Sequence, residues 1–215
     1  MKTYEKIETL YQRDTEGTKR LMPGVWRDAT VLFCSELDWE WTEKIDGTNI
    51  RVYWDGHTVT FGGRTENASI PTFLYNRLRD LFGTNEAEQL FEQMFGEKEV
   101  ILFGEGYGAK IQKGGGNYIP DGVNFILFDV MIGNNYQPRE TVDQIARAFS
   151  VPSVPVIGHG PLAEAEAFVR TNPRSRIGNC EMEGLVCRPC IELRDRCGNR
   201  LIVKIKAKDF KEEDT

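Results

Sequence analysis

Residues 39–63 read WEWTEKIDGTNIRVYWDGHTVTFGG, and this run decides the class of fold. Segments rich in aromatic and β-branched residues are separated by Asp46-Gly47 and Asp55-Gly56, dipeptides suited to tight turns because glycine accepts positive φ. Ile50, Val52 and Trp54 alternate with Arg51 and Tyr53, the period of a half-buried strand. The spacing predicts an antiparallel meander.

Outward from this run, strands are expected at EVILFGEG (99–106) and VNFILFDVMI (123–132), the second apolar enough to be central. Between them and the meander, Pro71 suits a first helical position, and Leu74, Leu78 and Leu81 share a helix face. Asn85 with Glu88 resembles a capping box, as does Thr141 with Gln144 ahead of a helix through Phe149. LAEAEAFVR (162–170) gives a further helix, and EMEGLVCRP with RLIVKIKA forms a closing hairpin around Cys197-Gly198-Asn199. Antiparallel strands with inserted helices indicate an α+β fold, and the lack of βαβ alternation disfavours a Rossmann fold. The 215 residues carry no repeat or Pro/Ser-rich hinge, so a single domain over 1–215 is expected.

Composition narrows the chemistry. No stretch approaches the ~18 apolar residues of a membrane span, and MKTYEKIETLYQRD has no signal-peptide core, which points to a cytoplasmic protein and no membrane partner. His57 and His159 are the only histidines and read as surface residues, which leaves Lys, Arg and carboxylates to carry the chemistry. The net charge is −6, but residues 174–211 carry ten Lys/Arg against five Asp/Glu. That segment suits a phosphate-binding wall, or equally a solvated hairpin with long basic side chains.

Lys44, just before Asp46-Gly47, is the most informative residue. Most lysines are simply solvated, but a lysine amine becomes a nucleophile when nearby cations or desolvation favour its neutral form. Lys204 and Lys206 alternate along the last strand with Lys208, and the first two share a face suited to gripping a phosphate. Glu105 ends one strand and Glu183 opens another, where paired carboxylates and a divalent ion would hold a triphosphate. Phe128 is either core or a base-stacking ring. Lys113-Gly114-Gly115-Gly116 lacks the GK[ST] ending of a phosphate loop and reads as a flexible surface loop.

Taken together, the runs KIDG (44–47), GRTEN (63–67), GEGYG (104–108), FDV (128–130), EGLV (183–186) and KIK (204–206) resemble, in order, the covalent nucleotidyltransferase superfamily of DNA ligases, RNA ligases and capping enzymes. The chain is most similar to the RNA ligase 2 type. The resemblance implies a nucleotidyltransferase domain with antiparallel sheets flanking an ATP cleft, in which Lys44 attacks the α-phosphate of ATP. It implies nucleotide-binding roles for Glu43 and Ile45 beside the nucleophile, with Glu43 at the adenine edge. Phe128 would stack on the base, Asn49 and Arg64 would orient ribose and phosphate, and Glu105 would bind the ribose hydroxyl. Lys204 and Lys206 would contact the α-phosphate, and Glu183 would help place Mg²⁺ or Mn²⁺. AMP would then pass to a 5′-phosphate RNA end for joining to a 3′-hydroxyl. The nine residues after Lys206 are too few for the OB-fold or helical domain such enzymes usually carry. An accessory protein is therefore a possible partner, and an end-binding module or a DNA ligase or capping-type enzyme is the alternative.

Cys180, Cys187, Cys190 and Cys197 form C-x₆-C-x₂-C-x₆-C, which departs from paired C-x₂-C zinc spacing. The purified protein is expected to hold no stoichiometric zinc and to tolerate serine at Cys190 and Cys197. Elemental analysis finding about one zinc per chain would overturn this.

Overall fold

The computed structural model describes residues 2–211. The acidic run Glu212-Glu213-Asp214 lies outside the described residues. The chain divides into two compact units, an inserted unit of Met1–Glu5 with Asp46–Val154 and a terminal unit of Lys6–Ile45 with Pro155–Thr215.

The terminal unit opens with β1 (Glu8–Thr9), β2 (Tyr11–Arg13) and β3 (Leu21–Trp26). The short helix α1 (Ala29–Phe33) follows, and the Asp28 side chain caps it by accepting from the Val31 N–H at 2.9 Å. The next strand, β4 (Trp39–Glu43), is buried at every position. A strand covered on both faces belongs in the middle of a sheet.

The chain then enters the inserted unit. In order come β5 (Thr48–Trp54), β6 (Val59–Gly62), α2 (Thr72–Phe82), α3 (Asn85–Phe95), β7 (Val100–Gly108), β8 (Val123–Ile132), β9 (Asn135–Tyr136) and α4 (Arg139–Ala148). The strands form one antiparallel sheet in the order β6-β5-β7-β8-β9. Ile50, Val52, Trp54, Leu102 and Leu127 on one face pack with Leu74, Phe82, Phe91 and Ile145 from the helices. Phe103 and Met131 on the other face meet Tyr4, Phe128 and Tyr136. Back in the terminal unit, β10 (Val156–Gly160), α5 (Leu162–Arg170), β11 (Gly184–Pro189) and β12 (Val203–Lys206) complete a sheet of order β1-β12-β11-β4-β10. Its pairings are antiparallel except β1 with β12, and α5 supplies Leu162, Ala165 and Val169 to its core.

The α+β class is as expected, and the closing hairpin is β11 with β12. The meander over 39–63 is corrected. Only β5 and β6 pair, around Gly56 at φ +100°, whereas β4 belongs to the other sheet. At Asp46-Gly47 no hairpin forms. Gly47 instead lies so close to β7 that a Cβ there would strike the Gly106 carbonyl and come within 2.7 Å of Glu105 Cγ.

Other local expectations shift as well. Pro71 is the N-cap of α2 rather than its first residue, Thr84 and not Asn85 caps α3, and α4 begins after Pro138, ahead of Thr141. Glu105 lies inside β7 rather than at its end, and Lys208 falls in a 3₁₀ turn beyond β12. Gly115, expected in a flexible loop, is buried against the Gly108 carbonyl.

Gly184 starts β11 at φ +151°, and a Cβ there would strike the Ile205 carbonyl and lie 2.8 Å from Lys206 Cα. Gly184→Ala should therefore cost about 2–4 kcal/mol. The expected readout is a lowered urea midpoint, and an unchanged midpoint would count against this close packing.

Candidate active site

In the terminal unit, three strands bring the basic residues together. The Lys44 N–H donates to the Gly184 carbonyl at 2.9 Å, just past the end of β4. Gly184 pairs with Lys206 across β11 and β12, and the Ala207 N–H donates to the Glu183 carbonyl at 2.9 Å. These ladder contacts point the side chains at one another. Glu183 Oε2 accepts from Lys44 Nζ at 2.6 Å, and Glu183 Oε1 is 2.8 Å from Lys206 Nζ. One carboxylate thus bridges two ammonium groups, each only partly exposed. Lys204 sits on the same strand, and burial, then Lys206, then Lys44 hold its pKa below the usual lysine range.

Glu43 is the last residue of β4 and only 1% exposed. Its carboxylate accepts from the Ser175 hydroxyl at 2.5 Å and from the Arg176 N–H at 2.8 Å. The Ser175 oxygen in turn accepts from the Ile177 and Gly178 N–H groups, both at 3.1 Å, closing a small turn. Burial pushes the Glu43 pKa up, while these donors act in the opposite sense. Ile45 is buried, which leaves its main chain for any ligand contact.

In the inserted unit, Asn49 lies opposite Glu105 across β5 and β7, so the two side chains leave the same face of the sheet. Asn49 Oδ1 is buried without a hydrogen-bond partner, an acceptor left for a ligand to satisfy. Phe128 reaches that face through a bulge. Phe103 pairs with Asp129 and Gly104 with Leu127, which leaves Phe128 as the extra residue of β8. Its ring meets Tyr4 edge-on at 5.0 Å. Arg64 stands exposed in the turn after β6. The predicted residues therefore fall into two groups, with Glu43, Lys44, Glu183, Lys204 and Lys206 gathered in the terminal unit. Asn49, Glu105 and Phe128 share a sheet face in the inserted unit.

The RNA ligase family model matches residues 37–206. The chain belongs to the RNA ligase family. Its fold is that of a Naegleria gruberi RNA ligase, whose apo mutant form aligns at TM-score 0.66 and 18% identity over 97% of this chain and 56% of that one. A mutant of the same protein with ATP and Mn aligns at TM-score 0.67 and 18% identity, covering 96% of this chain and 56% of that one. A form with AMP and Mn aligns at TM-score 0.67 and 17% identity, covering 98% and 57%. This RNA ligase family member thus spans a little over half the length of those structures, and no curated protein sequence matches it.

Among the described residues no group of three or more His, Cys, Asp or Glu forms a cage for a metal. The family member does offer Glu183 beside a basic cluster. Both Glu183 oxygens are taken by Lys44 and Lys206, so a divalent ion there would have to displace an ammonium and draw its other ligands from phosphate oxygens and water. Of the cysteines, Cys187 is buried in β11, Cys190 lies 3.4 Å from Asp38 and Cys197 is exposed. Much of the positive charge of residues 174–211 is already paired. Arg188 meets Glu40 at 3.0 Å, Arg194 and Arg200 meet Glu192 at 2.5 and 3.2 Å, and Lys211 meets Glu181 at 2.6 Å. No described helix is long and apolar enough to cross a membrane.

Ser175 escaped sequence reading, since a serine in a polar loop carries no periodic or motif signal. Its hydroxyl stabilises ionised Glu43, so Ser175→Ala should destabilise the protein by about 1–2 kcal/mol at neutral pH. Without the donor the folded pKa of Glu43 rises further, so the deficit should fade as pH falls through it and the carboxyl protonates. Urea unfolding at about pH 8 and about pH 5 checks this, and an equal deficit at both would refute it.

Proposed function

We propose that this chain is the nucleotidyltransferase part of an ATP-dependent RNA ligase that carries AMP on Lys44. The observation that carries the reading is the Glu183 carboxylate, bonded to both Lys44 and Lys206 with Lys204 close by. Lys204 and Lys206 place positive charge beside Lys44, where it would offset the negative charge of an α-phosphate. Structures of the Naegleria gruberi ligase with ATP and Mn, and with AMP and Mn, support the same ligands here.

In this reading the Lys44 amine loses a proton and forms a bond to the α-phosphorus, while the bond to pyrophosphate breaks. Lys204 and Lys206 hold the α-phosphate. Asn49 fills its vacant acceptor with a nucleotide donor, Glu105 takes the ribose hydroxyl, Phe128 stacks on the base and Arg64 orients the phosphates. Glu43 reads the adenine edge, with Ser175 and the Arg176 N–H fixing its carboxylate. A divalent ion at Glu183 and the phosphates, when bound, supplies neutralisation of the leaving charge. AMP then moves from Lys44 to the 5′-phosphate of an RNA end, and a 3′-hydroxyl displaces it to join the strands.

Incubation with α-labelled ATP and Mg²⁺ or Mn²⁺, followed by denaturing electrophoresis, should leave label on the protein. Lys44→Ala should fold normally and lose the label, and Lys44→Arg should also fail because a guanidinium stays protonated. Label retained by Lys44→Ala would overturn the assignment. Sealing of a nicked RNA with 5′-phosphate and 3′-hydroxyl ends separates a ligase from an end-binding module. A labelled protein that never seals would favour the module.

A further inference from the structure

Arg51 is only 1% exposed, in the middle of β5, where the strand pattern calls for an apolar or half-solvated residue. A guanidinium placed there is costly unless its donors are engaged. They are engaged by main chain. Nε donates to the Gly63 carbonyl at 2.7 Å and Nη1 to the Lys2 carbonyl at 3.1 Å, while Glu66 supplies opposing charge.

The position of these contacts gives them meaning. Arg51 lies opposite Gly62 on one side and Phe103 on the other, one row along the sheet from the Asn49–Glu105 pair and on the same face. Gly63 is buried at the root of the turn that carries Arg64, and a Cβ there would lie 2.9 Å from Ala68 Cβ. The Ala68 N–H closes the same turn on the Thr65 carbonyl at 3.2 Å. Arg64 is exposed and would sweep a wide volume if the root of its turn were loose.

We infer that Arg51 is a positioning residue, a buried guanidinium that pins the Gly63–Ala68 turn and so presents Arg64 beside Asn49 and Glu105. The inference rests on the proposed nucleotide-contacting role of Arg64. The guanidinium reaches the two carbonyls from separate nitrogens of a rigid planar fork, a geometry that the single nitrogen of lysine does not reproduce and an apolar residue lacks.

Two measurements test it. Trypsin cleaves after Arg64, so the rate of that cut in folded protein reports how firmly the turn is held. Arg51→Met should speed it about tenfold, and Arg51→Lys, which restores one donor, should fall between. An unchanged rate in Arg51→Met overturns the clamp. Labelling of Lys44 against ATP concentration gives the second. Arg51→Met should raise the half-saturating ATP about tenfold, and the double variant with Arg64→Ala should be no worse than Arg64→Ala alone. Additive effects overturn the route through Arg64. If Arg51→Met fails to fold, Arg51→Lys takes its place in both measurements. Should even the natural sequence take no label, the proposed function falls, while the cleavage rates still decide whether Arg51 holds the turn.

Discussion

The Glu183 carboxylate between Lys44 and Lys206 is the constraint on which the terminal unit's arrangement depends. Packing like charges together is unfavourable unless something of opposite sign lies among them. Glu183 supplies that charge, and the backbone around it leaves little freedom. Its carbonyl accepts from Ala207 and the next carbonyl accepts from Lys44, so the end of β12 and the exit of β4 are tied to consecutive residues. Gly184 makes this possible by taking a φ that a side chain would resist while lying against Ile205. The role of the acid is placement more than stability, since partly exposed ion pairs are screened by solvent.

Arginine, glutamate and phenylalanine each depart from what strand patterning would put at their positions. Glu43 is buried with its charge satisfied by a loop, Arg51 is buried with its charge satisfied by carbonyls, and Phe128 is displaced by a bulge. The bulge allows Leu127 and Val130 both to face the helices although an odd number of steps separates them. Each departure breaks a local rule at a place where the chain gathers polar groups, the pattern expected of functional sites.

How much of this was legible differs from element to element. β8 and α5 are legible to the residue, β8 because its apolar run is long and α5 because Ala and Glu favour a helix and Pro161 precedes it. The six motif runs contain Lys44, Glu183 and Lys206, which the fold brings into contact, and Lys204, which lies near enough to feel Lys206 and Lys44. The assignment of β4 and β5 to one meander failed because Asp46-Gly47 looks the same whether glycine makes a turn or a close approach to β7. Helix starts slipped by one to three residues, Pro71 serving as a cap rather than a first residue, Thr84 capping in place of Asn85, and Pro138 capping ahead of Thr141. Ser175 and Arg51 were invisible because their partners are main-chain groups or a carboxylate far along the chain, and no spacing encodes those.

The order of the strands also sets a timetable for biosynthesis. The sheet of the inserted unit uses strands between Thr48 and Tyr136, and its last helix is finished at Ala148. The neighbours of β4 are β10 and β11, and β12 is added outside β11, so the sheet around Lys44 waits until β12 has been made. On a ribosome that releases residues in sequence, the inserted unit has its strands and helices available while the early strands of the terminal unit still lack partners. Lys44 is translated well before Lys206, so the cluster of Lys44, Glu183 and Lys206 comes together only once β12 has been made. A nascent chain stalled before β12 would carry the KIDG run without Lys204 and Lys206 beside it.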